Sequence, residues 1–203
     1  MLVFRPSSSR SRGFGLVELM VSSALLLIIL VLVLAFQILG RKAWSKTSAS
    51  QEVLGQAQRA TRFLTEELQR SSMDSVSLSS GGESISFLTA KDENGQFTFS
   101  DRGSALWERW LIISFSEPIL VKKSHSWTAS LTQRETPLTI ELGTGQPFSD
   151  FLSGDGEQLA RNVESFQLSR PTGSQIVKYE ISIRSERDLS RAVSFRGAVR
   201  PRN

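Results

Sequence analysis

Hydrophobic and polar positions change their period twice along the chain. From Leu19 to Leu39 the sequence LMVSSALLLIILVLVLAFQIL carries no charge, and Ser22, Ser23 and Gln37 are its only polar residues. At about 1.5 Å per residue this run predicts a helix of roughly 31 Å, the depth of a bilayer core of about 30 Å. A helix apolar on every side needs lipid, or a ring of similar helices, around it. A cleavable secretory signal has a shorter apolar region, about 7–15 residues, and a small-residue cut site behind it. Here Gly40-Arg41-Lys42 follows directly. From Lys46 to Ser72 the apolar positions Val53/Leu54, Ala57, Ala60, Phe63/Leu64 and Leu68 recur at three- and four-residue spacing, which predicts an amphipathic helix. No proline separates the two stretches, so the spacing predicts one long rod with Gly40 and Gly55 as flex points.

Beyond Ser84 the period becomes two. Ile85–Thr89 and Phe97–Phe99 flank Lys91-Asp92-Glu93-Asn94-Gly95, and Asn-Gly predicts a hairpin there. Leu106–Ser116 and Ile119–Lys123 form a second predicted pair, broken at Glu117-Pro118. Leu138–Leu142 reads as a short strand, and residues 143–158 read as a loop. Val163–Ser169, Ile176–Arg184 and Ala192–Val199 read as the final strands, with Pro171-Thr172-Gly173 turning the first of them. A long N-terminal helix followed by an antiparallel sheet is an α+β architecture.

Composition narrows the chemistry. The 203 residues contain no cysteine and one histidine, His125. This excludes disulfides, a thiol nucleophile, cysteine-ligated metal and any site needing two imidazoles. No Gly-x-Ser-x-Gly, phosphate loop or dinucleotide fingerprint occurs, and no enzymatic activity is expected. The formal charge of +4 rests largely on the first residues. Removing Arg5, Arg10 and Arg12 from the 24 basic side chains almost cancels the excess over 20 acidic ones.

Glu18 is the anomaly. It stands at the mouth of the apolar run, within Gly13-Phe14-Gly15-Leu16-Val17-Glu18-Leu19-Met20. A plain membrane anchor has no use for a carboxylate there. A basic head, a glycine, a phenylalanine, a glutamate four residues later and then the apolar run together resemble the class III signal of type IV pilins and type II secretion pseudopilins. The resemblance covers residues 12–39. Gly15 departs from it, since threonine or serine is usual there. A second departure is the lack of a proline between Pro6 and Pro118, because many major pilins carry a kink-forming proline in the apolar helix.

The resemblance implies that a prepilin peptidase cuts after Gly13 and that the new amine, on Phe14, is methylated. It implies a basic leader over 1–13, a transmembrane and filament-core helix over 14–40, an amphipathic helix over 41–72 and an extracytoplasmic β-rich domain over 73–203. The fold it implies is the pilin-like lollipop. The implied partners are the peptidase, other pilin or pseudopilin subunits and inner-membrane lipid, with the C-terminal domain in the periplasm. No cofactor is implied. Arg62–Arg70, Ile119–Lys122, Leu159–Phe166 and the Arg202-Asn203 end are similar to J-type minor pseudopilins and W-type minor pilins.

The physics of the motif stands beside the resemblance. A cut after Gly13 puts a cation on Phe14, one helical turn before Glu18 and on the same face. Glu18 lies in the first turn, where the helix dipole favours an anion. In a bundle, the amine of one subunit can pair with the carboxylate of the next and fix axial register.

Two other chemistries have candidate residues. Asp150, Asp155 and Glu157 lie on a glycine-containing stretch and are weak calcium candidates, without the EF-hand spacing. Arg184, Arg187, Arg191, Arg196, Arg200 and Arg202 crowd the end of the chain, and Trp107, Trp110 and Trp127 could stack on bases. That set motivates the alternative of a minor pilin binding DNA in an uptake filament. A solvated strand face and core tryptophans explain the same residues, and nucleic acid is not expected as a partner.

Overall fold

The computed structural model describes residues 15–128, 133–185 and 192–202. Helix α1 runs from Leu16 to Arg70. The chain divides into two compact units at Lys46/Thr47, inside this helix. In the first unit every described side chain from Gly15 to Lys46 is exposed, as the unbroken apolar run requires of a helix whose surroundings are other than water.

The second unit is built on the remainder of α1. Val53, Ala57, Ala60, Leu64 and Leu68 are buried in a row, the predicted stripe. Ala57 and Ala60 are small, which lets the helix lie close against the strands. Leu54 is the flank of the stripe and stays partly exposed. Two buried polar side chains on this face are matched. Gln56 Oε1 accepts the Arg161 backbone N–H at 3.0 Å. Glu67 Oε1 pairs with Lys91 at 2.5 Å and Arg70 at 3.5 Å.

The strands form two antiparallel sheets. The first holds β1 (Ser77–Leu78), β2 (Ser84–Thr89), β3 (Arg109–Ser116), β4 (Ile119–Ser126) and β5 (Glu157–Arg161) in sequence order. The second holds β6 (Val163–Ser169), β7 (Val177–Arg184) and β8 (Ala192–Val199). Leu168 donates its N–H to Gly82 O at 2.7 Å, and Val163 donates to Pro118 O at 2.8 Å, tying β6 to turns of the first sheet. One core joins α1 to both sheets, with Ile85, Phe87, Leu111 and Ile113 from the first and Phe166, Leu168, Val177 and Ile181 from the second.

The opposite face of the first sheet is also covered. Leu88, Trp110 and Ile112 pack with Trp107, Trp127, Ile140 and Phe148 in a second core. Double coverage explains why Trp110–Ile113 reads as an unbroken apolar run rather than an alternation.

Several predicted elements are corrected. The Asn94-Gly95 turn forms: Gly95 has φ 78° and its N–H reaches Asp92 O at 3.1 Å. Yet Phe97–Phe99 is not a strand, and only the single bridges Lys91–Phe97 and Phe99–Ala105 hold it. The partner of β2 is β3, in register Ile85–Ile113 and Phe87–Leu111. That pairing buries six residues of β2, whereas Phe97 and Phe99 remain exposed.

Leu138–Leu142 is not a strand either. Helix α2 (Ile140–Thr144) occupies most of it and ends at Gly145, φ 72°, whose N–H bonds Glu141 O at 2.9 Å. Gly143 lies against the Trp110 ring, where a Cβ would come within 2.4 Å of Cζ2. The stretch 143–158 is only partly loop, since it holds a 3-10 turn at Phe148–Phe151 and the start of β5.

Leu159–Phe166 is divided between sheets. Its first part is β5, paired to β4. Asn162, at φ 56°, then turns the chain into β6. The two predicted pairs that hold are β3–β4, broken at Glu117-Pro118, and β6–β7, where Ser174 N–H bonds Pro171 O at 2.9 Å across the turn.

Candidate functional site

Gly13 and Phe14 lie outside the described residues, so the site is built from Gly15 onward. Gly15 immediately precedes Leu16, the first residue of α1. Its carbonyl accepts the first helical bond, from Leu19 N–H at 3.2 Å. Glu18 is three residues beyond that cap position, and its Oε2 accepts the Gly15 N–H at 2.9 Å. This is one half of a capping box: the carboxylate at the third helical position reaches back to the cap residue's amide. The other half needs a hydroxyl at the cap to accept an N–H in return, and glycine has none.

The sequence reading found Glu18 but not this arrangement. A capping box is recognised from serine or threonine at the cap, so glycine conceals it.

Glu18 is the only acid between Gly15 and Lys46. It is exposed, and among the described residues its Oε1 has no partner within the chain. The hydroxyl groups nearby are already engaged. Ser22 donates to Glu18 O at 2.8 Å and Ser23 donates to Met20 O at 2.9 Å. Chemically, the first turn therefore presents a carboxylate with one oxygen spent on its own backbone and one without a partner among the described residues.

The far end of the apolar run carries the opposite charge. Arg41, Lys42 and Lys46 follow it, and Trp44 among them is 78% exposed. Basic residues and tryptophan at the edge of an apolar helix mark the level of lipid headgroups. Trp44 was not singled out from the sequence, although its place among three cations is the signal. Helix α1 is long and apolar enough in this part to cross a membrane.

The remaining candidate residues are not gathered into sites. Asp150 Oδ1 accepts the Ser149 hydroxyl at 3.3 Å, and Glu157 pairs with Lys122 at 2.5 Å. Asp155 faces Lys123, whose ammonium is held below its ordinary pKa by burial, an effect that Asp155 opposes. Among the described residues no three His, Cys, Asp or Glu side chains are placed to hold a metal ion.

His125 is exposed on β4 and packs its ring 4.9 Å from that of Phe151, centroid to centroid. Trp107, Trp110 and Trp127 are buried in the second core, with Trp110 Nε1 donating to Leu138 O at 3.2 Å. They cannot stack on bases in this packing. Of the terminal arginines, Arg184 pairs with Glu164, Arg196 with Glu180 at 2.8 Å, and Arg200 reaches Gln175 at 2.7 Å. Arg187 and Arg191 lie outside the described residues.

Comparison with known proteins bears on the same N-terminal segment. The family model described as the prokaryotic N-terminal methylation motif matches residues 8–34, a span that holds Gly13, Phe14, Gly15 and Glu18. No curated protein and no solved structure matches the chain significantly.

Proposed function

We propose that this chain, type IV pilin-like by its N-terminal methylation motif, is a minor structural subunit that initiates or caps a pilus or a type II secretion pseudopilus. The motif implies processing by a prepilin peptidase and assembly with other pilin subunits, and the apolar helix fits anchoring in the inner membrane. The finer reading assigns Gly13–Phe14 as the cleaved bond, Phe14 as the methylated residue, Glu18 as the register-setting anion and the β-rich unit as periplasmic.

The observation that carries this reading is the carboxylate of Glu18 at the first turn of an otherwise apolar helix, inside the motif. Hydrolysis after Gly13 would free an amine on Phe14, and methylation of an amine keeps its positive charge. The amine of one subunit would meet Glu18 Oε1 of the next. Burying either charge alone costs several kcal/mol, and pairing recovers much of it. Oε2 stays with the Gly15 amide throughout, so the carboxylate is aimed before the neighbour arrives. A DNA-uptake role drew on three tryptophans and an arginine-rich end, and the buried tryptophans and the ion pairs of Arg184 and Arg196 give it no support.

Co-expression with a prepilin peptidase tests the assignment of the cut. Intact mass should show loss of residues 1–13 and a chain starting at Phe14. Gly13→Ala should slow the cut, since the site needs a very small residue. A mature start at any other residue would refute the assignment.

A further inference from the structure

The second sheet ends on one side in a strand edge that nothing described covers. Strand β8 pairs with β7 along its whole length, from Ala192–Arg184 to Val199–Val177, and among the described residues no strand pairs with its outer side. The other edges are closed. Strand β1 has two residues. Strand β5 is bulged against β4 and donates its Arg161 N–H to Gln56 of α1. Strand β6 gives backbone bonds to Gly82 and Pro118. Strand β8 has eight residues without proline, bulge or lysine, features that normally blunt an edge, and its one charge, Arg196, is paired with Glu180 of β7.

A groove of about 770 Å³ lies along α1 beside Tyr179, the β7 residue paired with Gly197 of this strand. Gly55, Arg59, Arg62, Thr65 and Glu66 of α1 line it together with Tyr179 of β7. The Tyr179 ring rests on Gly197 of β8, where a Cβ would fall 2.3 Å from it, and the Tyr179 hydroxyl lies 3.1 Å from Thr65 Oγ1. Val193 and Phe195 of β8 are only partly buried at the margin of the core. The groove is also short of negative charge. Arg62 pairs with Glu66 at 2.6 Å, while Arg59 bonds only the Gly55 carbonyl, at 3.3 Å, and has no acidic partner among the described residues.

We infer that β8 accepts an extended segment of another protein as an added strand, with apolar side chains on alternate positions and a carboxylate facing Arg59. Main-chain hydrogen bonds to an edge supply affinity in this mode, and alternate side chains supply selectivity. The apolar set would extend the core past Val193 and Phe195 along the α1 side. This inference goes beyond the assembly role of the N-terminal helix and does not depend on it.

The test uses the full chain in detergent micelles and a blocked eight-residue peptide of alternating threonine and valine with one central glutamate. Amide hydrogen exchange is followed over residues 192–199. Without peptide, the outward amides should exchange freely at every protein concentration. Saturating peptide should slow them at least tenfold, and the same peptide with N-methylated valines should not. Arg59→Ala should weaken binding about two- to fivefold, as an exposed charge pair does. Amides already protected at high dilution would mean that the chain covers its own edge, and protection rising with protein concentration would mean that a second copy does. Either result overturns the inference, as does equal protection by the N-methylated peptide.

Discussion

Under the proposed assembly role Glu18 would serve two partners with its two oxygens, and the one the structure shows is the Gly15 amide. With glycine at the cap, the carboxylate is, among the described residues, the side chain that accepts a backbone N–H at the helix start, Glu18 Oε2 from Gly15 N–H. A serine there would add the missing reciprocal bond. Space allows it, because a Cβ on Gly15 meets only Glu18 Oε2, at 3.7 Å. Gly15→Ser should steady the helix start by only about 0.3 kcal/mol, since glycine is already a tolerable cap. Amide exchange at Leu16–Leu19 in micelles should slow accordingly, and unchanged exchange would show that the turn is held by other means. At this scale the sequence was legible where chemistry depends on side-chain type, as for the lone carboxylate beside an apolar run. It was not legible where it depends on the backbone, as for the Gly15 amide. The tryptophans show the same limit: their composition is plain, but the face they occupy is set by the chain that closes over β3.

Among the elements, α1 was the most readable because both its signals, the apolar run and the stripe from Val53 to Leu68, are local periodicities. On its exposed face Arg62 and Glu66 form an i,i+4 pair at 2.6 Å. The hydrogen bond from Arg62 holds the Glu66 carboxyl below its ordinary pKa. The pair's contribution is therefore present above the ordinary carboxylate range and is lost as pH falls through the lowered value. Both groups are solvated, so the effect on stability is small. Titration of the Glu66 side chain by NMR should give a midpoint below that of a free glutamate, and Arg62→Ala should return it. An unchanged midpoint in the variant would remove Arg62 as the cause.

The strands were less readable, for a reason specific to each. Asn94-Gly95 fixes a turn within five residues but not the strand that leaves it, and β2 gains more by pairing with β3 across the Lys91–Ala105 excursion. Leu138–Leu142 has apolar residues at alternate positions, yet Gly145 and the packing of Ile140 and Gly143 near Trp110 close it as a helix. Strand β5 was hidden because the sheet change at Asn162 needs only a positive φ, which one residue supplies without a pattern.

On the scale of the whole molecule, the two units have different solvents. The β-rich unit buries its apolar residues within itself, while the first unit exposes Leu19–Leu39 entirely and keeps a single acid. Such a helix is stable in lipid or among its own kind, and in the proposed function Glu18 would distinguish the second environment from the first. Losing one partner of a buried charge pair costs about 3–5 kcal/mol, most of it from the charge left behind. The intramolecular cap is worth about 1 kcal/mol or less. A neutral residue at this position should therefore disturb assembly far more than it disturbs the helix.

Crosslinking to co-expressed pilin subunits in membranes, wild type against Glu18→Ala, measures that difference most directly. Cleavage after Gly13, membrane insertion and the folded β-rich unit should be the same in both. Crosslinks should fall severalfold or more in Glu18→Ala, and Glu18→Gln should behave alike, since it keeps size but not charge. Crosslinking equal to wild type in a processed, inserted Glu18→Ala chain would contradict the account, because the carboxylate would then be capping its own helix and nothing else.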